Sequence, residues 1–358
     1  MAYTVGSKKV IKDDNRTQLS TLTVSTSDYL EIAEVTTPPM YGSTTAFSFG
    51  GRVYPSFTAT QDIYSFPFAI SFPATASDTG GDLSLAVRSH GSGQSKTEGF
   101  AVGGQAFPPG NSVITSFPFA ISSGTGTEVG SLYDAAADMA VVSSTTECFS
   151  CGGFDQFRAP FLFGFTKIQK FPFSISSGTT TITGDLIEAK IQTAGHANAE
   201  NGFVSAGSIP ENPAGAVWVK TIEKFPFSIS SGTAIDVGDL TVENKLQTGC
   251  SSSTDGFSVG GQTLPPATPG STLTVSTIEK FPFNISSGTA VDVGDFAPFG
   301  RHTGDGSSSE TDGFVMNGNP QPLSVRIYSF PFAISGGTGT YVGDINPVGF
   351  FDQRNSQV

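Results

Sequence analysis

Along Ile222-Glu-Lys-Phe-Pro-Phe-Ser-Ile229 the side chains alternate, with Phe225, Phe227 and Ile229 on one face, and a period of two predicts a half-buried β-strand. Phe-Pro-Phe recurs six times, starting at Phe66, Phe117, Phe171, Phe225, Phe281 and Phe330, in steps of 51, 54, 54, 56 and 49 residues. Each copy is followed by a Ser/Gly/Thr turn and, in most copies, by Val-Gly-Asp or Gly-Asp. Each is preceded by a Phe and a small-residue run ending in Gly, as in Phe100-Ala-Val-Gly-Gly104 and Phe257-Ser-Val-Gly-Gly261. The pairs Glu98-Gly99, Asn201-Gly202, Asp255-Gly256 and Asp312-Gly313 stand just before that run and suit tight hairpins needing positive φ.

Each unit therefore predicts four strands: one ending near the hairpin, the Gly-Gly strand, the Phe-Pro-Phe strand and a short Val-Gly-Asp strand. Four-stranded units at this period predict propeller blades. Proline resists an interior strand position because it lacks the amide donor, so either the fourth strand pairs elsewhere or a bulge sits there. The expected fold is an all-β propeller over residues 36–346. Six blades are expected, with seven as the alternative if a composite blade joins both termini. Residues 1–35 are then an N-terminal arm or part of a closing blade, with candidate strands such as Lys9-Val-Ile-Lys12, and residues 347–358, containing Val348-Gly-Phe-Phe351, are a tail or a closing strand.

Composition narrows the class. Charged residues make up only 14% of the chain while Gly contributes 43 positions and Pro 22, which argues against a charged helical bundle. Phe supplies 31 residues, enough apolar mass for a core. The net charge of −13 without a Lys/Arg run argues against nucleic acid as a partner. No apolar stretch is long enough to span a membrane as a helix. The start, Met1-Ala-Tyr-Thr-Val-Gly-Ser-Lys-Lys-Val10, lacks a secretory profile, so synthesis in a cytoplasm is expected. Three cysteines, Cys148, Cys151 and Cys250, are too few for a disulfide framework.

Leu83, Arg88-Ser-His-Gly91, Gly99-Phe-Ala-Val-Gly-Gly104 and Phe117-Pro-Phe119, in that order, resemble the kelch repeat, although one tryptophan, Trp218, stands where kelch blades usually carry one each. Over about residues 40–345, the tandem Ser-Ser-Thr-Asp-Gly-Phe, Gly-Gly, Ile-Glu-Lys-Phe-Pro-Phe, Val-Gly-Asp-Leu is similar to repeats of virion structural proteins of tailed phages, notably those of marine cyanobacteria. That resemblance implies a virion component with a kelch-like propeller.

The residue types that carry chemistry all have structural readings in this repeat. His90, His196 and His302 stand 10, 7 and 12 residues before the corresponding Phe, out of register, so loop histidines are expected rather than a metal ring. Cys148 and Cys151, three apart on a strand, point to opposite faces as packing residues. The series Asp82, Asp185, Asp239, Asp295 and Asp344 could ring a Ca²⁺ site, but turn capping by a short carboxylate suits a feature repeated in every blade. No catalytic residue, metal or cofactor is expected, and a non-enzymatic protein is the leading reading.

The connection between the Gly-Gly and Phe-Pro-Phe strands differs in every copy, and binding is usually carried on such loops. One of them, Phe154 to Phe165, holds Phe154, Phe157, Phe161, Phe163 and Phe165, and Tyr54, Phe57 and Trp218 occur in its counterparts. Such rings suit a protein interface or sugar stacking; alternatively they fold over the blade edge as a lid. The second candidate contact is the stretch carrying Lys8, Lys9, Lys12 and Arg16. The expected function is a virion structural or tail-associated binding scaffold whose partners are other virion proteins or copies of itself. A carbohydrate-binding adhesin meeting a host surface glycan is the alternative, and a propeller glycan hydrolase or lyase the third reading.

Overall fold

The computed structural model describes residues 4–5, 8–9, 44–53, 58–106, 111–155, 163–210, 217–264, 273–300, 304–316, 318 and 325–345. Two compact units divide the chain, Met1–Thr36 and Thr37–Val358. In the first, Thr4–Val5 pairs antiparallel with Lys8–Lys9. The second is a six-bladed β-propeller without helices among the described residues.

Blade 2 shows the plan: Gly91–Gln94, Glu98–Val102, Val113–Pro118 and Thr127–Ser131 form an antiparallel sheet in chain order. The same order recurs in blade 3 (Ala140–Ser143, Glu147–Cys151, Lys167–Pro172, Thr181–Asp185) and blade 4 (Ala194–Ala197, Asn201–Ile209, Val217–Pro226, Ile235–Asp239). It continues in blade 5 (Thr248–Ser251, Asp255–Val259, Thr277–Pro282, Val291–Asp295) and blade 6 (Asp305–Ser308, Asp312–Met316, Arg326–Pro331, Thr340–Asp344). Blade 1 contributes Thr45–Phe49, Thr58–Pro67 and Ser77–Val87 as its second, third and fourth strands.

The Phe-Pro-Phe strand builds the seams. Both of its rings meet the second-strand Phe of the preceding blade: Phe149 lies 5.7 Å from Phe225 and 5.0 Å from Phe227, and Phe203 lies 5.9 Å from Phe281 and 5.0 Å from Phe283. Each fully buried ring is worth about 3–5 kcal/mol against truncation. The same trio joins blade 6 to blade 1, where Phe314 lies 6.0 Å from Phe66 and 5.1 Å from Phe68. The fourth strands repeat the closure. Asp185 bridges Thr233, Asp239 bridges Thr289, Asp295 bridges Thr338, and Asp344 bridges Thr75. Blade 6 thus bonds directly to blade 1, which leaves no place between them for a composite seventh blade; Val348-Gly-Phe-Phe351 and Lys12 lie outside the described residues.

Proline fits because it ends its strand. Phe173 donates its backbone N–H to Thr146 O (3.0 Å), and Pro172 sits opposite Glu147, one residue before that bond. Its ring nitrogen therefore faces the fourth-strand side, where pairing stops at Lys170 with Thr181. A bulge does occur on that side, between Ile168 and Gln169, away from the proline.

Two local expectations are corrected. The glycines of the acid-Gly pairs do not adopt positive φ. A Cβ on Gly256 would lie 2.5 Å from the Phe281 ring, and on Gly202 2.4 Å from Phe225; the residue is glycine to make room for an aromatic ring. The hairpin itself is turned by a hydroxyl: Ser252 Oγ accepts the backbone N–H groups of Thr254 (3.2 Å) and Asp255 (2.9 Å). The Gly-Asp carboxylates are likewise not turn caps. Asp185 accepts from the Thr166 hydroxyl and Asp295 from Ser276 (both 2.6 Å), and Asp239 lies 3.4 Å from Lys220. In the fourth-strand Asx bonds it is instead Asp236 Oδ1 that accepts the Gly238 N–H and Asp292 Oδ1 that accepts the Gly294 N–H (3.0 Å each). The Gly-Asp backbone serves the seam, since a Cβ on Gly238 would stand 2.6 Å from Gly288 O of the next blade.

Candidate functional site

Antiparallel order sends every second-to-third connection and every blade-to-blade connection to one end of the ring, and every first-to-second hairpin and Phe-Pro-Phe turn to the other. The variable loops accordingly share one end. It is tied to the framework by short bridges, Ala137 with Phe154, Ile191 with Ser208 and Lys245 with Gln262. Paired glycines at the second-strand ends, such as Gly260 (φ 66°) and Gly261 (φ 105°), supply the left-handed corner that brings the chain there.

The aromatic residues singled out on this end do not form one exposed patch. Phe154 is buried with Ala137 and Ile191. Phe165 is buried against Leu132, Ala136 and Met139. Trp218 is buried beneath Lys245, whose Nζ stands 4.3 Å from the ring centre. These three take the lid alternative: they cover the rim of the core, and apolar rings with room to pack there are removed from water. Phe163 lies in a two-residue strand, Phe163–Gly164, paired with Phe154–Asp155. Tyr54, Phe57, Phe157 and Phe161 lie outside the described residues. Lys8 and Lys9 form the second strand of the N-terminal hairpin, and Lys12 and Arg16 lie outside the description.

What this end does expose was missed in the sequence. Tyr133 is 59% exposed, Ile187 46% and Leu273 52%, with Val217, Val242 and Leu264 also turned to solvent. Tyr133, Ile187 and Val242 follow the fourth strands of blades 2, 3 and 4, Leu264 and Leu273 lie in the second-to-third connection of blade 5, and Val217 opens the third strand of blade 4, so the visible signal would have been an apolar residue soon after the fourth strand of successive units, as at Ile187 and Val242.

The cysteines of the ring and His90 and His196 are buried, and His196 lies within the first strand Ala194–Ala197 rather than in a loop. Cys148 and Cys151 are fully buried on opposite faces, in the core on either side of blade 3, and burial pushes the Cys148 and Cys250 thiols up to about 12. His196 shares its ring nitrogens between Ser205 Oγ (2.9 Å) and Cys250 O (3.3 Å). Burial lowers both His90 and His196 to about 4; His302 lies outside the described residues. Nearest the axis, first-strand backbones approach so closely that a Cβ on Gly249 would meet Gly195 O at 2.2 Å. Hydroxyls staple them: Ser143 Oγ accepts Gln94 N–H (3.0 Å) and Ser308 Oγ accepts Ser251 N–H (3.0 Å). Among the described residues, no three His, Cys, Asp or Glu side chains converge as a metal site. Compared with known proteins, the sequence matches no family model and no curated protein.

Proposed function

We propose that this chain is a non-enzymatic binding scaffold of a tailed-phage particle, a virion structural or tail-associated component made in the host cytoplasm. Its variable-loop end docks onto other virion proteins or further copies of itself. The observation that carries the reading is the exposed apolar series Tyr133, Ile187, Val217, Val242, Leu264 and Leu273 on that one end, set on a ring whose six seams are built alike. Exposed apolar side chains carried on one end of a rigid support suit a protein interface, and the −13 charge disfavours random association of the remaining surface. The phage assignment rests on the repeat resemblance, including the kelch-like order of basic residue, Gly-Gly strand and later aromatic.

The test is particle incorporation. A triple variant Ile187→Ser, Val242→Ser, Leu273→Ser changes only exposed side chains, so melting should move little. The tagged wild type should decorate assembled particles in electron micrographs, and the variant should not. Equal incorporation of both would overturn the docking face. Retention of a defined sugar on a glycan array, lost in the same variant, would turn the reading toward the adhesin.

A further inference from the structure

The repeat provides its own internal control: where one blade departs from its neighbours without a reason in the fold, another demand acts on it. Three such departures meet in one place, on the end opposite the variable loops. The hairpin residue that is Ser95, Ser144, Ser252 and Ser309 in blades 2, 3, 5 and 6 is Asn198 in blade 4. The acidic residue that opens the second strand, Glu98, Glu147, Asp255 and Asp312, is Asn201. The residue after Phe-Pro-Phe, Ala or Ser in every other copy, is Asn284 in blade 5. All three line one groove of about 510 Å³ at the seam of blades 4 and 5, together with Lys224, Thr254 and Pro282.

The first departure keeps the turn. Asn198 Oδ1 accepts the N–H groups of Glu200 (2.9 Å) and Asn201 (2.7 Å), as the serines do, and the substitution adds an amide donor. The second releases a cation. Lys170 pairs with Glu147 (3.0 Å) and Lys280 with Asp255 (3.3 Å), each above a second-strand Phe. Lys224 lies 5.5 Å above Phe203 in the same way but faces Asn201 where they face a carboxylate, and among the described residues it makes no ion pair. Two carboxylates also line the groove, Glu200 and Asp255, and Asp255 is engaged by Lys280 and the Thr254 hydroxyl (2.7 Å). The third departure places an exposed amide beside the exposed ring of Pro282.

We propose that this seam is a subsite for an acidic sugar, a hexuronate unit of a polysaccharide. Lys224 meets the sugar carboxylate. Asn198, whose Oδ1 also takes the Asn201 Nδ2 amide (3.4 Å), offers its Nδ2 as a donor, and the amides of Asn201 and Asn284 add donors and acceptors for neighbouring hydroxyls. Pro282 offers a flat apolar contact to the C–H face of the sugar ring. The volume falls within the range of small-ligand sites. The inference is independent of particle incorporation, which depends on the other end.

The test titrates the full chain with trigalacturonate and with neutral galactotriose. Uronate binding that weakens with added salt, without neutral-sugar binding of equal strength, is expected. Asn201→Asp restores the carboxylate of the neighbouring blades, so it should leave melting unchanged while weakening uronate binding about tenfold or more. Lys224→Met, which keeps the stem over Phe203, should do the same, and Asn284→Ala, the residue of blades 1, 2 and 6, should weaken binding severalfold. The absence of uronate binding at millimolar concentration would overturn the proposal, as would unchanged affinity in Asn201→Asp and Lys224→Met. Equal binding of an oligoglutamate peptide would overturn the sugar assignment.

Discussion

Blades 4 and 5 place a glutamate at one and the same point of the third strand, and they treat its charge differently. Glu223 and Glu279 are both 1% exposed, and each accepts the backbone N–H of the second residue after the preceding fourth strand, Ile187 (2.7 Å) and Thr241 (2.6 Å). Blade 4 supplies a cation: Lys190, fully buried, stands 2.5 Å from Glu223 and also donates to the Thr221 hydroxyl. In blade 5 the matching position is Asn244, which spends its amide on Gly260 O (2.8 Å). Glu279 keeps the Thr241 hydroxyl as a further donor, but its Oε2 has no hydrogen-bond partner. Burial holds its carboxyl above the ordinary value of 4.5, with the Thr241 bonds pulling the other way. The repeat thus dictates backbone and rings, while the buried polar layer is solved blade by blade.

The largest expected effect comes from breaking the blade 4 solution. Lys190→Met leaves Glu223 buried without its cation and should cost about 3–5 kcal/mol, read by chemical denaturation. Adding Glu223→Gln should recover most of that loss. The counterpart Asn244→Met forfeits one neutral hydrogen bond, about 1 kcal/mol. Equal losses in the two blades would end the comparison.

Next comes acid stability, where blade 4 has His196 and blade 5 has Cys250 at the matching position. Burial lowers His196 from 6.5 to about 4, partly opposed by its bond to Cys250 O. The folded state therefore keeps it neutral while the unfolded chain takes up a proton below about 6.5, so stability present at neutral pH drains away as pH falls toward 4. A gap of roughly 2.5 units corresponds to about 3 kcal/mol. His90 acts in the same direction. His196→Cys should flatten about half of the loss between pH 6.5 and 4; curves that stay parallel to wild type would show that the ring titrates freely.

Glu279 gives the opposite slope. An acid raised in the folded state holds its proton to higher pH than the unfolded chain does. Stability therefore declines as pH rises from 4.5 through the raised folded value. Glu279→Gln should remove that decline and gain on the order of 1 kcal/mol at neutral pH, whereas Glu223→Gln should destabilise by stranding Lys190. A gain in both blades would mean that the Lys190 pair contributes nothing.

These contrasts mark what could be read from the chain. Six Phe-Pro-Phe copies at a near-constant step were enough for a propeller of four-stranded blades, because turn residues and a period of two are local signals. The reason for the acid-Gly glycines was not legible: a ring from a strand 25 residues away, Phe281 over Gly256, mimics the signature of a tight turn. Nor was the seam role of the Gly-Asp pair, since Asp344 meets Thr75 only once the ring closes. Lys190 and Glu223 lie on different elements, and only packing shows that they meet. The departures Asn198, Asn201 and Asn284 are visible once the units are aligned, but their convergence depends on two blades sharing a seam. The loop aromatics misled because composition does not separate a ring that caps a core, such as Trp218, from one that awaits a partner.

The smallest expected effect is at the left-handed corner of the second strand, where blade 5 has Gly260 (φ 66°), just past the strand end, and blade 4 has Ala206 (φ 50°), at a bulge beyond which pairing resumes to Ile209. A left-handed conformation costs an L-residue about 1–2 kcal/mol, so alanine here is strained. Its methyl is fully buried beside Phe203 and Ile222, which returns about 0.8 kcal/mol, and alanine also restricts the unfolded chain by about 0.4–1 kcal/mol relative to glycine. These terms nearly cancel, so Ala206→Gly should change stability by less than about 0.5 kcal/mol. The next residue has no such balance. A Cβ on Gly207 (φ 111°) would stand 2.7 Å from Ile191 O and 2.5 Å from Thr193 Cγ2, which explains why glycine remains at the second position of this corner in blade 4 although the first has been replaced. A gain above about 1 kcal/mol in Ala206→Gly would show that the buried methyl does not offset the strain, and a loss of that size would show that packing, not backbone conformation, governs the corner.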